Sequence, residues 1–79
     1  MARLISVAPR GADWVVHAAG LTEDLVFRAG SRAEAAARAL ATRAVALGES
    51  AELRIVLRDG SLAGTWLFPS RIAPDVLAG

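Results

Sequence analysis

SRAEAAARALATRAVALG, residues 31–48, decides where the rest of the chain must go. Ser31 followed by Glu34 is the pattern of a capping box. In that motif the serine hydroxyl accepts from the Glu34 amide, and the glutamate reaches back to the amide of Ser31. Alanine, the strongest helix former, fills the interior. Gly48 is placed to close the helix in a left-handed conformation. Wound at helical pitch, Ala33, Ala36, Ala37, Leu40, Ala44 and Leu47 fall on one stripe. Glu34 and Thr42 lie opposite, and Arg32, Arg38 and Arg43 form the wet side and flank. The stretch therefore predicts one amphipathic helix whose buried stripe is built from small side chains, a shape that lets it sit close to a sheet.

Two hairpins flank this helix in the sequence reading. On the C-terminal side, SAELRIVLRDGSLAGTWLF holds Asp59-Gly60 between apolar alternations, a strong short-range hairpin signal. A two-residue loop would pair Arg58 with Ser61, Leu57 with Leu62, Ile55 with Gly64 and Leu53 with Trp66. Gly64 would then leave room opposite Ile55. The other face would carry Arg54 with Thr65 and Val56 with Ala63. On the N-terminal side, residues 3–9 read as a strand, with Pro9 at its end or at a sheet edge. Residues 14–18, WVVHA, form a second strand, and RGAD between them is a set of turn residues. GLTEDLVFRAG reads as a turn and a short extended piece with Leu25 and Phe27 on one side.

One helix has one sheet face to cover. The expected fold is α+β, in the order β-β-α-β-β. An antiparallel sheet of about four strands, two hairpins, has the amphipathic helix packed on one face. The expected core is Ile5, Val7, Trp14, Val16, Phe27, Leu40, Leu47, Leu53, Ile55, Leu62 and Trp66. Residues 1–68 form a single domain, and residues 69–79, with Ile72, Val76 and Leu77, form a tail that contributes to an interface.

The chain has 79 residues, no cysteine, and His17 as its one histidine. Disulfides, thiolate metal sites and multi-histidine sites are thereby excluded. A domain of this size buries only about 60% of the surface its unfolded chain exposes, so oligomerisation is the expected extra support. The hydrophobic fraction is 54%, but alanine supplies much of it, and no run of about 20 apolar residues predicts a membrane span. The start, MARLISVAPRG, lacks an apolar stretch with a cleavage site, which predicts no signal peptide. A cytoplasmic location is expected. The formal charge of +1 comes from 9 basic and 8 acidic residues, and the basic residues, all arginine, are not clustered as in a dedicated DNA-binding protein.

SVAPRGADWVVHAAG, VFRAGSRAEAAARA and ELRIVLRDGSLAG together resemble the bacterial domain of unknown function DUF2188. Pro9, Trp14, Val16, Gly20, Phe27, Ser31, Glu34, Ala35, Asp59 and Gly60 match its pattern, over roughly residues 5–64. Ala12-Asp13 departs from it where the family more often has a glycine, and TWLF and the tail lie beyond it. The resemblance implies a small bacterial domain and brings no activity or functional residues.

No catalytic, cofactor or metal site is expected. APRGADW could grip an anion through Arg10 and the Gly11 amide, but it lacks the glycines and lysine of a phosphate loop and reads as a hairpin corner. His17 has the chemistry of a general base, but it needs an orienting partner and a pocket. The scattered acids Glu23, Asp24, Glu49, Glu52 and Asp59 read as turn formers and solvated charges. The distinctive surface is the sheet face that the helix leaves open, with Val15, His17, Arg54, Val56, Arg58, Thr65 and Leu67. It is more apolar than a face meant only for water. This predicts a non-enzymatic interaction module, acting as a homodimer of two-fold symmetry. The runner-up reading is nucleic-acid binding through the arginines of the same face, which lacks stacking aromatics.

Overall fold

The computed structural model describes residues 2–69. Its elements are β1 (Ala2–Arg10), β2 (Asp13–Ala18), β3 (Leu25–Phe27), α1 (Gly30–Ala46), β4 (Ser50–Val56) and β5 (Leu62–Phe68). The expectation for the tail falls on residues 70–79, outside the described residues.

The fold is α+β with one helix, as expected, but the sheet is mixed and has five strands in the order β3-β2-β1-β4-β5. β1 pairs antiparallel with β2 and parallel with β4. The wholly antiparallel four-strand sheet is therefore corrected, and the cause is the short segment Leu25–Phe27. It pairs antiparallel with β2, Trp14 opposite Phe27 and Val16 opposite Leu25. This extra strand reverses the chain once more before the helix. The helix returns it, and β4 emerges running with β1 instead of against it.

Alternation sends Ile5, Val7, Val16, Ala18, Ala51, Leu53 and Ile55 to the helix side, where all are buried. They meet Ala33, Ala37, Ala41 and Ala44. An alanine stripe keeps the helix close, so the largest fully buried side chains are only Ile5, Leu53, Val7 and Val16. Trp14, Phe27 and Leu40 pack against this core from its rim. Leu47, Leu62 and Trp66, expected in the core, are exposed. Leu47 is the C-cap of a helix that ends at Ala46, so it leaves the stripe. Ala41 and Val45 are buried there instead. Trp66 and Leu62 stand on β5, an outer strand that the helix barely reaches.

The helix starts differently from the capping-box reading. Its N-cap is Ala29, with no side-chain cap, and Glu34 is bound to Arg38 one turn on, at 3.0 and 3.2 Å. The start is set by packing instead. Gly30 lies so near Trp14 that a Cβ there would come within 3.0 Å of the indole Cε2. The C-terminus follows expectation. Gly48 has φ +86°, its amide donates to Val45 O (3.0 Å), and the Glu49 amide donates to Ala44 O (2.9 Å). These two bonds form a Schellman cap.

Both hairpin corners are decided by glycine. Gly11 and Ala12 connect Arg10 to Asp13, and Gly11 has φ +59°. Since no non-glycine described residue has positive φ, this is a type II′ turn, with glycine at its first central position. The corner at Asp59-Gly60 is not the two-residue loop expected. Such a type I′ loop needs positive φ at both central residues, and Asp59 does not have it. The Leu57 carbonyl accepts from Gly60 N (2.9 Å) and the Leu57 amide donates to Ser61 O (2.8 Å), which makes a three-residue loop, Arg58 to Gly60. Val56 then faces Leu62, and a bulge at Ala63 restores the expected pairs Ile55–Gly64, Arg54–Thr65 and Leu53–Trp66. Gly64 does make room, but for Trp66: a Cβ there would meet Trp66 Cη2 at 2.7 Å.

Candidate functional site: the open sheet face

Residues out of phase with the buried set point away from the helix. The strand registers align them in rows across the sheet. Ser6 stands opposite both His17 and Arg54, and Arg54 opposite Thr65. A second row runs Leu4, Glu52, Leu67. A third joins Val26, Val15 and Ala8. Val56 and Leu62 close the patch near the second hairpin. Of the residues assigned to this face from sequence, Val15, His17, Arg54, Val56, Thr65 and Leu67 share it. Arg58 does not. The three-residue loop puts it in the turn, where its Nη1 donates to the Gly11 carbonyl (2.7 Å). Its guanidinium lies 5.2 Å from the Trp14 ring centroid, on the helix side.

Three residues of the patch were missed in the sequence. Val26 belongs to the strand that was read only as an extended piece. Leu62 was placed in the core by the two-residue loop. Leu4 lies in the first strand, whose register no turn residue fixes. All three are exposed, as is Leu67 at 71%.

The charges on this face are already matched. Arg54 Nε donates to Glu52 Oε2 at 2.6 Å. His17 Nδ1 lies 2.7 Å from Asp24 Oδ1, and Arg10 Nη2 lies 3.3 Å from Asp24 Oδ2. The hydrogen bond from His17 holds the Asp24 carboxyl below the ordinary aspartate range, and the charges of His17 and Arg10 act the same way. Arg10 starts beside Asp13 and ends at Asp24. That reach crosses β2 near Val15, which is only 6% exposed although it faces away from the helix.

Asp24, His17 and Ser6 are the residue types of an orienter, a base and a nucleophile. Their arrangement is not a working triad. The Ser6 hydroxyl makes no hydrogen bond to His17, and the His17 side chain is 64% exposed. Two clefts of about 310 and 210 Å³ lie beside Arg3. Neither is lined by His17 or Ser6, and the carboxylate there, Glu49, is taken by Arg3 at 2.8 Å. Among the described residues no cluster of three metal-ligating side chains occurs. No helix among them is long and apolar enough to cross a membrane. No family model, curated protein or solved structure matches the chain.

Proposed function

We propose that this chain is a small non-enzymatic interaction module that acts as a homodimer, with the open sheet face as its contact surface. The observation that carries this is the exposure of Leu4, Val26, Leu62 and Leu67 on one face that no described element covers. Apolar side chains exposed on either side of the polar Ser6, His17, Arg54 and Thr65 row mark a contact site. The 32 strand residues, each rising about 3.3 Å along strands about 4.8 Å apart, present roughly 500 Å² per copy. Two such faces together reach the roughly 1,000 Å² that a specific interface requires. The charges suit a self-contact, because Arg54 and Arg10 each bring a carboxylate partner with them and no unpaired cation would be trapped.

A cytoplasmic setting fits the absence of cysteine and belongs to the same proposal, as does the kinship to DUF2188 drawn from Pro9, Trp14, Val16 and the Asp59-Gly60 turn. The second reading, nucleic-acid binding, has weaker support. Arg54 is engaged by Glu52, and Arg58 is bound at the first hairpin.

Light scattering tests the first reading. The expected mass is at least twice 8.2 kDa, and Val56→Arg, at the end of the patch near the second hairpin, should halve it with the circular dichroism unchanged. A wild-type mass of one chain across the micromolar range overturns it. Binding to a pooled RNA or DNA that weakens steeply with salt would favour the second reading.

A further inference from the structure

We propose that the outer edge of β5 pairs antiparallel with β5 of a second copy, about a two-fold axis at Thr65. This goes beyond the face contact, because it uses backbone rather than the open face.

The two edges of the sheet are unlike. β3 is three residues long, and shortness is one of the ordinary protections of an edge. β5 is seven residues long and reads LAGTWLF, with no charge and no proline. Lysine, proline and inward charges are the other usual protections, and β5 has only the bulge at Ala63. Its inner side is bonded to β4, and no described strand lies beyond it. Its side chains are also the least covered of any long strand. Only Gly64 and Phe68 are partly buried, whereas Leu62, Trp66 and Leu67 are exposed.

The strand is complementary to itself. A two-fold contact sets the same patch against itself. Centred on Thr65, it places Ala63 opposite Leu67 and Gly64 opposite Trp66 of the second copy, and the pairing ends at the bulge. Every pair is apolar, threonine meets threonine, and no like charges oppose. The axis is perpendicular to the sheet, so the open faces of both copies point the same way. The apolar face offered to the contact proposed above is then twice as wide.

The absence of cysteine makes a clean test possible. Directly opposed residues in an antiparallel pair have Cα atoms about 4.5–5.5 Å apart, within disulfide range. Thr65→Cys should therefore oxidise to a covalent dimer at least about tenfold faster than Leu67→Cys. Leu67 shares the strand and the face, but its symmetry mate lies about 13 Å along the partner strand. Amide exchange on the unmodified protein gives an independent reading. The outward amides of β5 should gain protection as concentration rises, and those of β3 should not. Equal oxidation at the two positions, or β5 amides whose exchange ignores concentration, overturns the proposal and leaves the edge to a different partner. Val26→Arg separates the two contacts. It lies on the face but on the far edge strand, so it should abolish face packing and leave Thr65→Cys cross-linking intact.

Discussion

Gly48→Ala should cost this protein about 1–2 kcal/mol, and Ser31→Ala almost nothing. Gly48 sits at φ +86°, where an L side chain costs about 1–2 kcal/mol. The chain cannot avoid that strain cheaply. Relaxing the residue to negative φ breaks Gly48 N to Val45 O and Glu49 N to Ala44 O. It also moves Glu49, whose carboxylate holds Arg3 of β1 at 2.8–2.9 Å. Exposed pairs like that one contribute less than about 1 kcal/mol, so the total stays near 1–2. For a domain of this length that corresponds to a melting temperature lower by about 4–15 °C. Ser31 is the opposite case. It lies past the true N-cap, Ala29, and caps nothing, so its loss should fall within about 0.5 kcal/mol. Paired urea melts at one fixed protein concentration decide the matter. If Ser31→Ala is the more damaging, or Gly48→Ala melts with the wild type, the assignment of helix stability to its C-terminal cap is wrong.

Ala37→Leu should destabilise by about 1–3 kcal/mol in the same melts, because Ala37 is fully buried in the core between helix and sheet. Gly64→Ala should swing the Trp66 ring outward, since the new Cβ would lie 2.7 Å from Cη2. A red-shifted, more quenchable emission in a Trp14→Phe background would report it. Asp24 should titrate below the ordinary aspartate range because of its hydrogen bond to His17, and its depressed pKa adds stability that is present above the unfolded value and lost as pH falls through the folded one. Asp24→Asn should therefore flatten the loss of stability in that acid window. A carboxyl signal titrating at the ordinary position would contradict the His17 contact.

The helix was legible because its signals are dense. Seventeen residues of alanine-rich sequence closed by Gly48 leave little alternative. The inner part of the second hairpin was legible because alternation fixed Leu53–Trp66 and Ile55–Gly64. What was lost traces to two local choices. A three-residue strand is too short to show a period, so Leu25–Phe27 gave no warning that it would pair with β2, and the direction of β4 turned on it. At Asp59-Gly60 the dipeptide admits either a two-residue or a three-residue loop. The choice of the longer one moved Arg58 off the open face and Leu62 onto it. The contact of His17 with Asp24 lay seven residues apart in a loop, where no spacing rule points.

Setting β1 between β2 and β4 also sets a timetable. Ala2 meets Ser50, and Val7 meets Ile55, so each parallel pair closes a loop of about 48 residues. During synthesis at about 5–20 residues per second, the first strand waits roughly 2–10 s for its neighbour to be made. Through that interval Ile5, Val7 and Val16 have only the antiparallel meander to lie in, and their shared face stays uncovered until the alanine helix folds down. The native sheet thus grows from its β3-β2-β1 side, and its middle closes late. A chaperone or a neighbouring nascent chain has seconds in which to find that bare face.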